Sequence, residues 1–189
     1  MSEHATIIAG FGGQGLLFAG QVLAQAANIE GLDVSWMPSY GPEMRGGTAS
    51  CTVIVADRPI GSPIVDLADS VIALNPPSLA RFEPVLAAGG LLVVNSTLIE
   101  AEPRRTDLEV AAVPCTAMAR TAGNERLASI VALGALIARR PIVAPASIRA
   151  ALRDLTRDHH PEFLDADLAA FDAGFAAAAI GEAVTAPRP

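Results

Sequence analysis

The chain of 189 residues contains no lysine, so all 13 of its permanently basic side chains are arginines. Acidic residues outnumber them, giving a formal net charge of −7, and aromatic residues make up only 4% of the sequence. A nucleic-acid-binding domain needs a basic footprint, usually with stacking side chains. The composition therefore argues against a nucleic-acid partner, and any long cationic side chain that contacts a phosphate must be an arginine.

Cysteine is nearly absent as well. Cys51 and Cys115 lie far apart in sequence and form neither a CxxC pair nor a zinc or iron–sulfur ligand pattern. Each lies in an apolar segment, which predicts two buried thiols that behave as small hydrophobic groups. We therefore predict that this chain holds no metal of its own.

Recognisable catalytic sets are missing too. The sequence has no GxSxG elbow and no spaced Ser-His-Asp or Cys-His set. We expect His4 in a frayed N-terminus, and His159 and His160 in a turn where they cap helices or face solvent. Asp158 and Glu162 beside them imitate a metal cluster, but adjacent side chains in a turn usually diverge. We predict no catalytic residue.

No apolar stretch approaches the roughly 20 residues that cross a bilayer. The first four residues lack the basic and apolar regions of a signal peptide. We therefore expect a cytoplasmic protein without membrane contact. Because 51% of the residues are hydrophobic and only 17% are charged, we also expect part of the surface to be covered by partner subunits.

The strongest local signal is a glycine-rich turn. A β-branched run ends at Ala9 and a helical apolar pattern begins at Leu16. The residues of this glycine turn are Gly10, Gly12, Gly13, Gln14 and Gly15. The spacing is the dinucleotide fingerprint in its strand–turn–helix context, where bare N–H groups and the helix dipole favour a phosphate. The alternative is that the glycines only let the first helix pack closely on its strand.

A dinucleotide site also needs an acidic residue at the end of the second strand, about 20 residues further on. Asp33 stands at the start of the second apolar run, and that run ends in Pro38, Ser39 and Tyr40. The ribose-binding half of the fingerprint is therefore missing or misplaced.

Apolar runs alternate with helical patterns along the chain, which predicts an α/β fold with a mostly parallel, Rossmann-like sheet, helices on both faces and a helical C-terminal part. The predicted strands are Thr6–Ala9, Asp33–Met37, Thr48–Ala56, Ser70–Leu74, Leu91–Asn95 and Glu109–Val113. The strand at Thr48–Ala56 has no helix before it and is expected to depart from simple doubly wound topology. We predict one domain over residues 1–189, with a frayed tail at 185–189.

The predicted helices cover Leu16–Ile29, the segment from Pro77 to Val85 with Ser78 as a possible cap, Pro114–Thr121, Asn124–Arg139 with Asn124 as its cap, Pro145–Leu155 and about Pro161–Val184. In the last helix, Asp165, Asp167 and Asp172 are expected on the solvent side. The stripe on its opposite side is expected in the core and consists of Phe163, Leu164, Leu168, Phe171 and Phe175.

A second loop follows the second strand and runs to Thr48. Its candidate binding residues are Tyr40, Glu43, Arg45, Gly46 and Gly47. Because the carboxyl ends of parallel strands share one edge of a sheet, we expect this loop beside the glycine turn. The Arg45 guanidinium suits a phosphate or carboxylate. The alternative is that Glu43 and Arg45 pair with each other or cap helices.

Several segments together resemble one family. GFGGQG at 10–15, SYGPEMRGGTASCTVIVAD at 39–57, IGSPIV at 60–65 and GNER at 123–126 are similar to the gamma subunit of the 2-oxoacid:ferredoxin oxidoreductases. The order and spacing match from about Thr6 to Gly181, and SYGPEMRGG is most similar to the 2-oxoglutarate type. The joined loop motif is far more specific than the glycine fingerprint.

The resemblance implies an accessory subunit that is inactive in isolation. The family's complex converts a 2-oxoacid and coenzyme A to an acyl-CoA and carbon dioxide while reducing ferredoxin. The implied partners are alpha and beta subunits that hold thiamine diphosphate, and iron–sulfur clusters on beta or a ferredoxin-like delta subunit. The gamma part is associated with assembly and coenzyme A access, so the resemblance implies that the glycine turn and the second loop form its binding residues. The absence of lysine argues against any family contact that uses an ammonium on the coenzyme A phosphates.

Two alternatives of other classes stay open. A stand-alone NAD(P)- or flavin-dependent oxidoreductase would bind a dinucleotide tightly, although the misplaced acidic residue argues against it. A structural interaction module would use the glycine turn for packing only.

Overall fold

A computed structural model describes residues 3–40, 48–157 and 161–180. Within these ranges the strands are β1 (Glu3–Phe11), β2 (Asp33–Tyr40), β3 (Thr48–Ala56), β4 (Ala68–Ala73), β5 (Leu86–Asn95) and β6 (Glu109–Val113). The α-helices are α1 (Leu16–Ile29), α2 (Pro76–Phe82), α3 (Cys115–Thr121), α4 (Ala128–Arg139), α5 (Pro145–Arg157) and α6 (Leu164–Ile180). Single 3₁₀ turns precede β5, α4 and α6, at Glu83–Val85, Glu125–Leu127 and Pro161–Phe163.

The strands form one six-stranded sheet in the order β2-β3-β1-β4-β5-β6. The pairs β1–β4, β4–β5 and β5–β6 are parallel. β3 is inserted between β2 and β1 and is antiparallel to both. The predicted α/β class is confirmed, and the strand without a preceding helix is the one that breaks the parallel pattern.

The two faces of the sheet are covered unequally. The larger hydrophobic core joins the sheet to α1 and α4, with α3, α5 and α6 completing it. The smaller core lies on the opposite face, where α2 places Leu79 beside Ile7, Val71 and Leu92. Helices therefore lie on both faces, as predicted, and most of the helical mass is on the α1 side.

Several local predictions need correction. The cap of α2 is Asn75, whose Oδ1 accepts a hydrogen bond from the Ser78 N–H at 2.8 Å, so Ser78 is the capped residue. His4 belongs to β1 rather than to a frayed end, and its Nε2 lies 3.0 Å from the Ser70 hydroxyl. Asn124 does cap the turn into α4, with its Oδ1 accepting from the Arg126 N–H.

The C-terminal helix also differs from its prediction. Phe171 is fully buried, as expected, but Phe163 is 45% exposed and lies in the 3₁₀ turn before α6. Asp167 is only 4% exposed, so it does not lie on the solvent side where the sequence placed it, whereas Asp165 and Asp172 are exposed. His159 and His160 lie outside the described residues. Across the described part of the chain, no helix combines the length and apolar character needed to cross a bilayer.

Candidate functional site

The glycine turn leaves β1 at the carboxyl edge of the sheet and leads directly into α1. Gly13 and Gly15 have φ angles of 99° and 75°, in the left-handed region that favours glycine. The Gln14 side chain folds back so that its Oε1 accepts a hydrogen bond from the Phe11 N–H at 2.7 Å. Gly15 is the N-cap of α1, and no side chain caps this end of the helix within the described residues. The first turn of α1 therefore presents its N–H groups toward the turn.

The glycines of the turn fall into two kinds. A Cβ on Gly10 would lie 3.0 Å from the Leu74 Cβ, and a Cβ on Gly15 would lie 2.5 Å from the Arg126 carbonyl oxygen. Close packing therefore explains these two positions. A Cβ on Gly12 would meet no described atom within 4 Å, and the same holds for Gly13. Gly12 is exposed and has no positive φ, so packing and backbone strain among the described residues leave its identity unexplained.

The glycine turn lies between two neighbouring strands whose following helices pack on opposite faces of the sheet. From β1 the chain passes to α1 on one face, and from the adjacent β4 it passes to α2 on the other. Ligands of open α/β sheets bind in the crevice that opens at such a switch point. Leu74 follows β4 and donates its N–H to the Ala9 carbonyl at 2.9 Å, which holds the two strand ends together.

The second predicted loop is anchored at the same edge. Phe11 pairs with Thr48, and Tyr40 pairs with Ala49, so both ends of the loop lie one or two strands from the glycine turn. The predicted neighbourhood of the two loops is supported by these anchors. Tyr40 ends β2, although its side chain is not described, and Glu43, Arg45, Gly46 and Gly47 lie outside the described residues.

Asp33 lies at the other end of β2 from Tyr40. Seven residues at about 3.4 Å each put it roughly 24 Å from this edge. Its carboxylate is therefore out of reach of a ribose bound beside the glycine turn.

Two buried asparagines at the same edge escaped the sequence analysis. Asn95, at the end of β5, donates from Nδ2 to the Leu74 carbonyl at 3.1 Å and to the Thr116 hydroxyl at 2.9 Å. Its Oδ1 accepts from the Thr116 N–H, which fixes the start of α3. Asn75 follows β4 and caps α2. For Asn75, the available signal was its place between an apolar strand and a predicted helix, the usual position of a helix cap.

The two thiols are buried, as predicted. Burial raises the pKa of Cys51 to about 12, and burial likewise raises the pKa of Cys115 to about 12. Neither sulfur is a thiolate at neutral pH, so neither acts as a nucleophile there. Among the described residues, no group of three or more acidic, histidine or cysteine side chains is placed to hold a metal ion.

A cavity of about 880 Å³ lies beside α1, and we call it the α1 cavity. Gly15 belongs to its wall, so it adjoins the glycine turn. The remainder of the wall comes from α1, from Trp36 of β2, from residues around the 3₁₀ turn before α4 together with Ile130, from the end of α5, and from Phe163 and the start of α6. Asp167 lines it, and burial raises the pKa of this carboxyl to about 6.

Comparison with known proteins identifies the family. The family described as pyruvate ferredoxin/flavodoxin oxidoreductase matches residues 5–177. The 2-oxoglutarate synthase subunit KorC of Methanothermobacter thermautotrophicus is 36% identical over 174 residues, covering 88% of this chain and 90% of KorC. The ketoisovalerate oxidoreductase subunit VorA of the same organism is 47% identical over 131 residues, which are 69% of this chain but only 27% of VorA. The chain thus spans about a quarter of the length of that relative.

A solved structure agrees with these relatives. The gamma subunit of a keto/oxoacid ferredoxin oxidoreductase from Geobacter sulfurreducens superposes with a TM-score of 0.80 at 31% identity, over 93% of this chain and 98% of that one. The resemblance predicted from the sequence motifs is therefore confirmed. The chain belongs to the pyruvate ferredoxin/flavodoxin oxidoreductase family, and within it the chain is similar to gamma subunits.

Proposed function

We propose that this chain is the accessory gamma subunit of a 2-oxoacid:ferredoxin oxidoreductase of the 2-oxoglutarate type, and that its glycine turn contacts the phosphates of coenzyme A. Residues 1–189 would act as one unit in a complex with alpha and beta subunits. Thiamine diphosphate and iron–sulfur clusters would be held by those subunits or by a ferredoxin-like delta subunit, and ferredoxin would accept the electrons.

The end-to-end match to KorC supports the subunit assignment and the 2-oxoglutarate type. It also fits the composition, because a chain that is half hydrophobic is expected to bury surface against partners.

The coenzyme A contact depends on one observation, the open space at Gly12. The residue is exposed at a switch point, and no described neighbour requires a glycine there. A bare turn before an uncapped helix N-terminus is where backbone N–H groups accommodate a phosphate. Coenzyme A supplies the thiol that accepts the acyl group, and the chain's own contribution is to bind the phosphorylated end and orient it.

The NAD(P)- or flavin-dependent alternative is not favoured, because Asp33 lies at the wrong end of β2 and the relatives are 2-oxoacid oxidoreductase subunits. The structural interaction module keeps one point in its favour, since Gly10 and Gly15 are explained by packing. The two functions differ in what they require of Gly12.

A substitution in the turn tests the proposal in the assembled complex. The chain is co-expressed with its alpha and beta subunits, and 2-oxoglutarate-dependent reduction of ferredoxin is measured against coenzyme A concentration. Gly12→Asp places a negative charge where the phosphate is proposed. We expect the KM for coenzyme A to rise about tenfold, equivalent to about 1.4 kcal/mol, with the complex intact.

Gly61→Asp is the matched control. Gly61 is also exposed, has no positive φ and has open space around its Cβ position, but its loop joins β3 to β4 at the opposite edge of the sheet. It should leave the KM unchanged. An unchanged KM in Gly12→Asp would exclude the coenzyme A contact and favour the structural module. Failure of the wild-type chain to co-purify with alpha and beta subunits would exclude the subunit assignment itself.

A further inference from the structure

The α1 cavity adjoins the glycine turn through Gly15, and the rest of its wall comes from residues that the proposed coenzyme A contact does not use. Its volume of about 880 Å³ is within the range of roughly 300–1,000 Å³ that small-molecule sites occupy. Its wall is assembled from four α-helices, two 3₁₀ turns and one strand, so the cavity is a product of the tertiary fold.

Most of the wall is apolar. Three aromatic side chains line it: Phe18 from α1, Trp36 from β2 and Phe163 from the turn before α6. Ile130 and Leu155 extend the apolar surface from α4 and α5. Such a surface favours the body of an organic molecule, because burial of apolar area is favourable by about 25 cal/mol per Å².

Seven polar side chains share this wall, and two of them, Thr156 and Asp167, are buried. The Thr156 hydroxyl donates a hydrogen bond to the Leu152 carbonyl. Asp167 is 4% exposed and lines the cavity, and its carboxyl has no hydrogen-bond or ionic partner among the described residues. Burial disfavours the charged form of this carboxyl and raises its pKa to about 6, so its position in a largely apolar wall is unfavourable for the folded chain.

The cavity does contain a cation, Arg126, but it does not neutralise the acid. A guanidinium in contact would lower the pKa of the carboxyl, whereas the pKa of Asp167 is raised, with burial as the cause. Arg126 itself is exposed. The carboxyl is left available to a group from outside the described chain.

We infer that the α1 cavity binds a small organic cation, with an ammonium group paired to the Asp167 carboxylate and an apolar, ring-sized body against Phe18 and Trp36. An anion would be repelled by the same carboxylate. A purely apolar molecule would leave it unpaired, so neither fills the cavity as well. An ammonium is also attracted to the face of an indole ring.

The chain provides its own reporter, because Trp36 is its only tryptophan. Benzylamine, a protonated amine on a phenyl ring, is titrated into the full-length chain while Trp36 fluorescence is recorded. Benzyl alcohol and benzoate replace the ammonium by a neutral and an anionic group. We expect a saturable change with benzylamine and affinities at least about tenfold weaker for the other two.

Three variants distinguish the contribution of the Asp167 carboxyl to binding from that of the open space in the cavity. Asp167→Asn keeps the shape, removes the charge and should weaken benzylamine binding about tenfold, toward the affinity of benzyl alcohol. Ala166→Phe fills the cavity beside an intact Asp167 and should abolish the response. Asp165→Asn, on the exposed side of the same helical turn, is the matched control and should bind as the wild type does.

Two results would overturn the inference. One is no saturable response of the wild type to benzylamine, and the other is undiminished affinity in Asp167→Asn. Both are measured on the isolated chain without coenzyme A, so they do not bear on the proposed subunit function.

Discussion

At the crossing of α4 with α6 the two helix backbones are in direct contact, whereas the space around the N-terminus of α1 is open. A Cβ on Gly174 would fall on the Val131 carbonyl, and a Cβ on Gly134 would fall on the Phe171 carbonyl. At the other extreme, a Cβ on Gly12 would meet nothing. α6 belongs to both regions, because its first turn carries Asp167 in the cavity and its middle carries Gly174 in the crossing.

This difference shows that the structural role of a glycine or an aspartate in this chain depends on its surroundings in the fold. Gly174 lets two helices approach, Gly15 combines a left-handed φ with close packing, and Gly12 does neither. The same holds for Asp165 and Asp167, two residues apart on one helix, of which one is exposed and the other buried. Stability and binding experiments can test each of these assignments.

The largest effect is expected in the closed region. Helix propensity alone predicts that Gly174→Ala stabilises the chain by about 1 kcal/mol. Because the added Cβ meets a backbone carbonyl that cannot move without shifting α4, we expect destabilisation of about 3 kcal/mol instead, measured by urea unfolding. Ala173→Gly at the exposed neighbouring position should cost only about 1 kcal/mol. A stabilised Gly174→Ala chain would mean that the crossing is looser than described.

Gly15 lies at the border between the two regions. Gly15→Ala adds left-handed strain and a contact with the Arg126 carbonyl, so we expect a loss of about 2–3 kcal/mol in the free energy of unfolding. Gly31→Ala isolates the strain, because Gly31 has a similar φ of 73° and open space around its Cβ position. That control should cost about 1 kcal/mol. Equal losses in both variants would remove the packing role of Gly15.

The buried position of Asp167 should make the free energy of unfolding depend on pH. Its pKa is about 6 in the folded chain and about 3.9 in an unfolded chain, so the folded state holds this proton more tightly. The stability that protonation contributes is present below pH 4 and is lost as the pH rises to 6. Asp167→Asn should therefore gain on the order of 2 kcal/mol relative to the wild type between pH 4 and pH 7.

The comparison of the two chains across pH isolates Asp167 from Arg126 and from the histidines, which both chains retain. Asp165→Asn is the control, since it makes the same substitution at an exposed position of the same helix. A constant difference between wild type and Asp167→Asn from pH 4 to pH 7 would show that the carboxyl is solvated.

The smallest effect is expected in the glycine turn itself. Gly12→Ala should change the free energy of unfolding by less than about 0.5 kcal/mol, because the methyl group enters open space. Thermal unfolding of the isolated chain measures this. A loss comparable to that of Gly15→Ala would show that Gly12 is needed for folding and would weaken the case for a ligand contact there.

Much of the fold could be predicted because its signals are local. The run Leu91–Val94 is apolar on both faces, and it lies buried in β5, in the parallel part of the sheet. β3 was expected to depart from the parallel pattern because no helix precedes it. Its place between β2 and β1 was not predictable, because pairing between strands distant in sequence leaves no local signal. Asp167 was placed wrongly, because at about 100° per residue it lies about 200° around α6 from Asp165 and cannot share the exposed side of that helix.

The sequence by itself determined the glycine turn, the alternation of strands and helices and, through its joined motifs, the family. These depend on residues that are neighbours along the chain, and backbone conformation and periodicity follow from such neighbours. Only the tertiary structure decided that Gly12 is open while Gly15 is packed, and that Asp167 faces a cavity. Each of these depends on atoms brought together from distant segments, and burial, open space and pairing of charges are properties of that arrangement.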